Sequence, residues 1–418
     1  MRILWLKTEL LHPIDKGGKI RTYFTLQQLR RHHHVTYLTL DDGRCGEDAV
    51  ERAEEYCHDL LQIPHVPSRK FGLRFYVELA TNLVSALPYA IARYRSRPME
   101  RRLRALLNEG RFDLLICDFL APDVNVPRTV DLPAVLFQHN VEAMIWKRHT
   151  EVQSSAIRRA YFGRQWRNMA RYERDACRRY DHVIAVSEED RDEIGQAYGV
   201  ENVDAVPTGV DTEFFTPSGE VAEKPENVVF VGSMDWLPND DAVDFFANDV
   251  WPLVRKSRPD ATFTIVGRDP GAATRALADR GDGIEVTGRV EDVRPYLERA
   301  TAAIVPLRIG GGTRLKIYEA MAMGKPTVST TIGAEGLPVE HGNELFLADQ
   351  PHEFAERIVD LLTDPVASRE MGLRAQQRVR ADFSWETAAR PFIDICEQVV
   401  SRRAHQADRQ DSALTKQD

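Results

Sequence analysis

The run Gly310-Gly311-Gly312-Thr313-Arg314-Leu315-Lys316 concentrates residue types suited to holding an anion. An apolar stretch before it, Ala302 to Pro306, predicts a strand, and Thr313 to Met323 predicts a helix. Glycines let a backbone approach a ligand without hindrance from Cβ. Thr313 suits a helix N-cap, and the first turn of a helix points its N–H groups at an anion. Arg314 and Lys316 add positive charge where a diphosphate would lie. Glu319, three residues after Lys316, shares its helix face, and a carboxylate there can accept hydrogen bonds from two ribose hydroxyls. Strand, glycines, cations and a spaced Glu together predict a nucleoside-diphosphate pocket. The simpler arrangement open to the same residues is a glycine loop with a surface Lys–Glu pair.

Three further groups could carry chemistry. The strand expected over Ala134 to Gln138 delivers His139, Asn140 and Glu142 to its carboxyl edge, where a His either meets a ligand or caps the next helix. Asp118 follows another expected strand in LLICDFLAP; it could take an acceptor's proton or serve as a turn or N-cap residue. Gly17 and Gly18 form a loop before a helix predicted over Ile20 to Arg31. Arg21 stands just past that loop and is either an auxiliary cation or a solvated surface residue. No pair of flanking carboxylates of the kind used by glycosidases emerges.

These residues need a scaffold that brings strand ends together. Arg2 to Leu6, a helix and Val35 to Leu40 read as a βαβ unit. Leu114 to Cys117, Ala134 to Gln138 and His182 to Val186 are short apolar runs expected of buried parallel strands. After the turn-rich PTGVDTEFFTP (Pro207 to Pro217) and a polar stretch, a second βα series begins. Its expected strands are Asn227 to Val231, Ala261 to Val266, Ile284 to Thr287, Ala302 to Pro306, Pro326 to Thr330 and Leu345 to Ala348. Helices are expected over Asp240 to Arg255 and Val293 to Arg299, with three more closing the chain. The fold class is α/β: two Rossmann-like, doubly wound domains facing across a cleft, with ligands at the strand carboxyl ends. The expected domains are 1–205 and 206–384, followed by a helix over 385–403 and a polar, disordered tail over 404–418.

Composition narrows the class. At 418 residues, with 43% hydrophobic and 28% charged residues, the chain reads as two globular domains. The N-terminus lacks the long apolar stretch of a secretion signal, and no run is apolar enough for a membrane span. Five scattered cysteines (Cys45, Cys57, Cys117, Cys177, Cys396) give neither metal-ligand spacing nor a disulfide framework, which points to a reducing cytoplasm. His32, His33 and His34 fit the C-terminal end of a helix, where cationic side chains suit the dipole, better than a metal site. Residues 1–200 hold 31 Lys and Arg against 27 Asp and Glu, a net of +4, while the remainder holds 24 against 37, a net of −13. Lys147 to Arg179 is rich in Arg and interleaves Tyr161, Phe162, Trp166 and Tyr172. It could lie on an anionic membrane, at the cytoplasmic face, or be a solvated face with its aromatics turned inward. No motif supports nucleic-acid binding.

The stretch GGGTRLKIYEAMAMGKPTVSTTIGAEGL resembles the donor-site signature of glycosyltransferase family 4, of the GT-B fold. VVFVGSMDWLPNDDAV resembles the start of that family's second domain, RYDHVIAVSEEDRDEI and VPTGVDTEFF its interdomain crossover, FSWETAA its return to the first domain, and HPIDKGGKIRTYFTLQQL its N-terminal glycine loop. The likeness runs from Met1 to about Arg403 and is nearest to bacterial sugar transferases of exopolysaccharide synthesis. It implies an acceptor-side first domain, a donor-binding second domain, and retaining transfer of a hexosyl group from a UDP- or GDP-linked sugar to a glycan or lipid-linked acceptor, without metal or cofactor. It also implies that Glu319 binds ribose. Gly17, Gly18, Gly312, Thr313, Arg314 and Lys316 would bind the diphosphate, and His139 would sit near the donor sugar. The chain departs from the family at Gly311, where a sugar-contacting Glu is usual. The Arg and Lys that usually follow the first strand of the second domain are also missing, with Ser233 after Gly232 and Asn239 near the Lys position. A nucleotide-sugar epimerase, a pyridoxal-dependent phosphorylase and a non-catalytic sugar-nucleotide-binding protein are the other functions such a pocket could serve.

Overall fold

The computed structural model describes all residues except 15, 44, 69–71, 152, 154, 310–314 and 415–418, and gives residues 407–414 as backbone only. The chain divides into two compact units, Met1–Pro207 with Ala389–Asp418, and Thr208–Ala388.

Among the described residues of the first unit, seven strands form one parallel sheet. They are β1 (Arg2–Lys7), β2 (His34–Asp41), β3 (Asp59–Pro64), β4 (Leu114–Asp118), β5 (Ala134–Phe137), β6 (His182–Ala185) and β7 (Val203–Ala205), in the order β3-β2-β1-β4-β5-β6-β7. The helices are α1 (Gly17–His32), α2 (Leu73–Asn82), α3 (Tyr89–Ala92), α4 (Arg97–Asn108), α5 (Glu142–Glu151), α6 (Ala156–Cys177) and α7 (Glu188–Tyr198). Alternate residues of each strand enter opposite cores. Leu4, Leu6, Leu38, Leu115 and Leu136 pack on one face, and Ile3, Trp5, Tyr37, Ile116 and Phe137 on the other. Burial on both faces explains why these strands read as continuous apolar runs rather than as alternating patterns.

Among the described residues of the second unit, six strands form a parallel sheet. They are β8 (Asn227–Val231), β9 (Thr262–Val266), β10 (Ile284–Gly288), β11 (Ala302–Val305), β12 (Thr327–Ser329) and β13 (Phe346–Leu347), in the order β10-β9-β8-β11-β12-β13. Helices α8 (Leu237–Phe245), α9 (Trp251–Ser257), α10 (Ala272–Ala276), α11 (Arg294–Arg299), α12 (Leu315–Ala322), α13 (Pro351–Thr363) and α14 (Pro365–Asp382) flank it. The last helix, α15 (Trp385–Leu414), begins in this unit, and its residues from Ala389 belong to the first. There Phe392 stacks against Trp5 and Phe137, and Cys396 and Val399 join the same core.

Four expectations need correction. The glycine loop at Gly17-Gly18 is already helix, because α1 starts at Gly17 rather than Ile20. The helix expected over Asp240 to Arg255 starts earlier and is broken by a π turn over Phe246–Val250. Pro252 lacks an N–H and crowds the carbonyl four residues back, which displaces the regular ladder. The edge strands β3 and β7 were not anticipated. Of the tail expected to be disordered over 404–418, residues 404–414 continue α15, and 415–418 lie outside the described residues. Residues 404–414 contain no Gly or Pro and several good helix formers, so propagation from a packed helix is easy.

Where β8 and β9 end, Gly232 and Gly267 meet backbone to backbone. A Cβ on Gly267 would lie 1.7 Å from the Gly232 carbonyl oxygen. Gly267→Ala is therefore expected to cost about 3 kcal/mol or more, whereas Gly17→Ala, whose Cβ meets nothing within 4 Å, should stay within about 1 kcal/mol. Urea unfolding midpoints compare the two, and equal midpoints would refute the contact.

Candidate functional site

Ligands of open parallel sheets bind outside the strand carboxyl ends where strand order reverses. In the first unit that point lies between β1 and β4, and in the second between β8 and β11. Each unit places a cluster of polar side chains there.

In the first unit, β1 ends at Lys7 and β4 at Asp118, both with essentially no exposure to water. The Lys7 ammonium lies 2.7 Å from Asp118 Oδ2. Thr22 Oγ1 on α1 donates to the same oxygen at 2.7 Å, and Trp5 Nε1 donates at 3.1 Å. The other oxygen, Oδ1, is 2.8 Å from His139 Nε2, just beyond β5. Lys7, His139 and these hydrogen bonds outweigh the burial of Asp118 and hold its carboxyl well below the usual range. It is therefore an acceptor, so His139 Nε2 carries the hydrogen. Burial pushes the imidazole pKa down to about 3, so the ring is neutral and Nδ1 keeps its lone pair. Nδ1 lies 3.4 Å from Arg21 Nη1, and a Cβ on Gly18 would stand 3.9 Å from it.

Phe119 fixes the other side of the ring. It takes φ of 71°, a conformation costly for a bulky residue, and its ring stacks on His139 at 3.8 Å between centroids. Gly18 tolerates this only because it lacks a Cβ, which would fall 2.7 Å from the Phe119 ring. Gly17 and Gly18 occupy the first turn of α1, before the first intrahelical bond from Ile20 N to Lys16 O. The proton-accepting role expected of Asp118 does not fit this geometry, since both its oxygens are engaged and buried. Its contacts orient His139 instead. Arg21 is buried beside Nδ1 rather than a solvated residue.

Glu142 stands at the start of α5. Its backbone N–H and that of Ala143 donate to Glu173, which also accepts from Gln138 and from the Tyr198 hydroxyl. Glu173 is thus a helix cap. Burial, reinforced by Glu173, pushes the Glu142 carboxyl up to about 7. Within Lys147 to Arg179 the aromatics turn inward. Tyr172 donates to Asp123, Trp166 packs on the core and Phe162 lies against Trp146.

In the second unit, Lys316 and Glu319 stand on α12, after β11. Lys316 Nζ donates to Asn239 Oδ1 at 2.6 Å, and Asn239 Nδ2 donates to the Ser233 carbonyl at 2.8 Å. Gly232 makes room for the pair, because a Cβ there would lie 2.9 Å from both Asn239 and Lys316 Nζ. Arg268, after β9, donates to Ser233 Oγ at 2.8 Å. Sequence reading missed this cation, whose signal was the Gly267-Arg268 step after an apolar strand. Lys7, Thr22, Trp5 and Phe119 were missed as well, since none belongs to a recognisable motif. Glu319 is half-buried, and burial pushes its carboxyl up to about 7 against the opposing pull of Lys316. Gly312, Thr313 and Arg314 lie outside the described residues, as do Gly310 and Gly311. Among the described residues no cluster of three or more His, Cys, Asp or Glu could hold a metal ion, and no helix is long and apolar enough to cross a membrane.

Residues 17–214 match the family model described as Glycosyltransferase Family 4, and residues 225–364 the model described as Glycosyl transferases group 1. The chain belongs to the family 4 glycosyltransferases. It is 22% identical over 91% of its length, and 96% of the relative's, to an uncharacterized 44.6 kDa protein in the cps region of Klebsiella pneumoniae. Over 46% of this chain it is 30% identical to a GDP-mannose-dependent monoacylated α-(1-6)-phosphatidylinositol monomannoside mannosyltransferase of Corynebacterium glutamicum, of which the match spans 55%. Among solved structures, a sucrose-phosphate synthase from Thermosynechococcus elongatus superposes with a TM-score of 0.70 at 17% identity, covering 96% of this chain and all of that one. Anabaena HepE in complex with UDP-glucose gives 0.63 at 16% identity, covering 97% and 100%. These likenesses show the GT-B fold for the family 4 glycosyltransferase described here.

Two outcomes follow from the buried groups. Lys7→Met strands Asp118 without its counter-charge and is expected to cost about 3–5 kcal/mol, while adding Asp118→Asn recovers part of that loss. Denaturant unfolding of both variants tests this, and fully additive losses would contradict the pairing. A Glu held above its unfolded pKa stabilises the fold only while protonated, so the Glu319 contribution is complete below about pH 4.5 and lost as pH rises through about 7. Glu319→Gln should therefore gain stability relative to the native protein between pH 5 and pH 8, read as the difference in melting temperature, and a pH-independent difference would count against a raised pKa.

Proposed function

We propose that the protein is a retaining, metal-independent glycosyltransferase. It moves a hexosyl group from a UDP- or GDP-linked sugar to a glycan or lipid-linked acceptor in cell-surface polysaccharide synthesis. The observation that carries this reading is the Lys316 ammonium, anchored by Asn239 at the reversal point of the second sheet, with Glu319 one helical turn away. A fixed cation there suits a diphosphate, and a carboxylate suits the two hydroxyls of a ribose. Names among the relatives support a sugar-nucleotide donor and a surface-glycan context, with a cps-region protein, a GDP-mannose-dependent transferase and a UDP-glucose complex.

In the proposed reaction the bond between the anomeric carbon and the diphosphate oxygen breaks, and the acceptor oxygen bonds to the same carbon from the same face. The acceptor's proton passes to the departing diphosphate. Lys316 stabilises the charge that develops on the leaving oxygen, with Arg314 assigned the same role by family likeness. Nδ1 of His139 already accepts from Arg21, so a contact of this residue with the donor sugar would use its backbone carbonyl. A neutral imidazole with so low a pKa does not donate a proton as a general acid. The first-turn amides of Gly17 and Gly18 are donors for an anion.

The test is incubation of the purified protein with UDP- and GDP-sugars and extracted glycan and lipid-linked acceptors. Mass spectrometry detects transfer, and NMR the anomeric configuration. Lys316→Ala and Glu319→Ala should each lower kcat/KM by about 10- to 100-fold, the worth of one charge-assisted contact. Full activity in both variants would remove the assigned pocket. Epimerised donor without any acceptor would replace transfer by epimerisation. Binding of nucleotide-sugar with no turnover on any acceptor would leave a binding protein.

A further inference from the structure

Helix α2 turns an apolar stripe toward water. Leu73, Tyr76, Val77, Ala80 and Val84 recur at the spacing of a single helical stripe. That stripe faces outward: Leu73 is 84% exposed, Tyr76 and Val77 54% each, and Val84, just past the helix, 88%. The opposite side, with Phe75, Glu78, Leu79 and Asn82, is the anchored one. Asn82 donates to the Leu87 carbonyl and accepts from Gln165 on α6, while Arg164 and Asn168 of α6 donate to the Ser85 carbonyl. Ile157, 83% exposed, lies on the same face of α6 as Arg164 and Asn168, the residues that hold Ser85. Exposed apolar side chains clustered on one helix face in this way mark a contact site.

Charge decides which contact. Residues 65–105 hold nine Lys and Arg against two Asp and Glu, and residues 156–171 hold five Arg and no acid, in a protein whose net charge is −9. Arg74, Arg158 and Arg159 are exposed among the apolar residues. Apolar side chains with exposed cations such as Arg158 and Arg159 beside them on α6, in a segment of basic excess, match an anionic bilayer, where the former enter the acyl boundary and the latter meet headgroup phosphates. We propose that the outer face of α2, the turn at Leu83-Val84 and the start of α6 dock the protein on anionic membrane. This moves the membrane contact away from the inward-packed aromatics of 147–179 and is independent of the sugar-transfer reading, since its test has no turnover readout.

Flotation of the full-length protein with vesicles tests it. Vesicles of phosphatidylcholine with about one-third phosphatidylglycerol should carry the protein at low salt, and phosphatidylcholine alone should not. The double variant Leu73→Asp, Val84→Asp should lose flotation while keeping the native circular dichroism and melting temperature, because both side chains are exposed. Arg158→Gln should weaken binding about fivefold and flatten its salt dependence. Absence of flotation at low salt, equal flotation of the double variant, or equal binding to neutral vesicles would overturn the proposal. So would self-association that the double variant dissolves without any vesicle binding, which would make the face a contact between copies of this chain.

Discussion

An ammonium and a carboxylate sealed from water at the end of β1 and β4 set the terms for the first unit. Lys7 and Asp118 cannot be separated without stranding a charge in a medium that solvates it poorly, so the two strands must end level with each other. The remaining lone pairs of Asp118 must also be satisfied, which draws in Thr22 from α1, Trp5 from β1 and His139 from beyond β5. One buried carboxylate thus fixes three strands and a helix, and with them the tautomer of the histidine they surround. The strained backbone of Phe119 is tolerated because its ring closes over this network.

The second unit solves a similar problem with less charge and more backbone. Gly232 and Gly267 allow β8 and β9 to end in direct contact, and the space at Gly232 admits Asn239 and Lys316. Asn239, near the position where the family likeness leads one to expect a Lys, grips Lys316. Arg268 approaches Ser233 from the neighbouring strand. Among the described residues, positive charge near this reversal point thus includes Lys316, which the family likeness assigns to the diphosphate, and Arg268, which it does not. The partly desolvated Glu319 beside it is poised near neutral pH.

The two charge regimes noted in the sequence acquire places in the fold. The basic excess falls in the segments that form α2, α4 and α6 of the first unit, and α2 carries an apolar stripe that has no protein covering it among the described residues. The acidic excess lies in the later residues. Such a division suits a molecule that meets an anionic surface on one part only.

By itself the sequence determined the fold class, nearly every strand of both sheets and the helix that carries Lys316 and Glu319. These depend on local signals: apolar runs, glycines before helices, and cations at fixed spacing along one helix face. It also exposed the odd residues, Gly311, Ser233 and Asn239, without showing their consequence. The short edge strands escaped notice because they are defined by a neighbour's hydrogen bonds rather than by their own pattern. Only the tertiary structure decided that Asp118 orients His139 instead of taking a proton, that Arg21 is buried, that Gly18 lies under Phe119, and that α2 shows its apolar side to water. Each of these follows from residues far apart in the chain meeting out of water. Burial and partner then set charge state and role, and neither can be read from one segment alone.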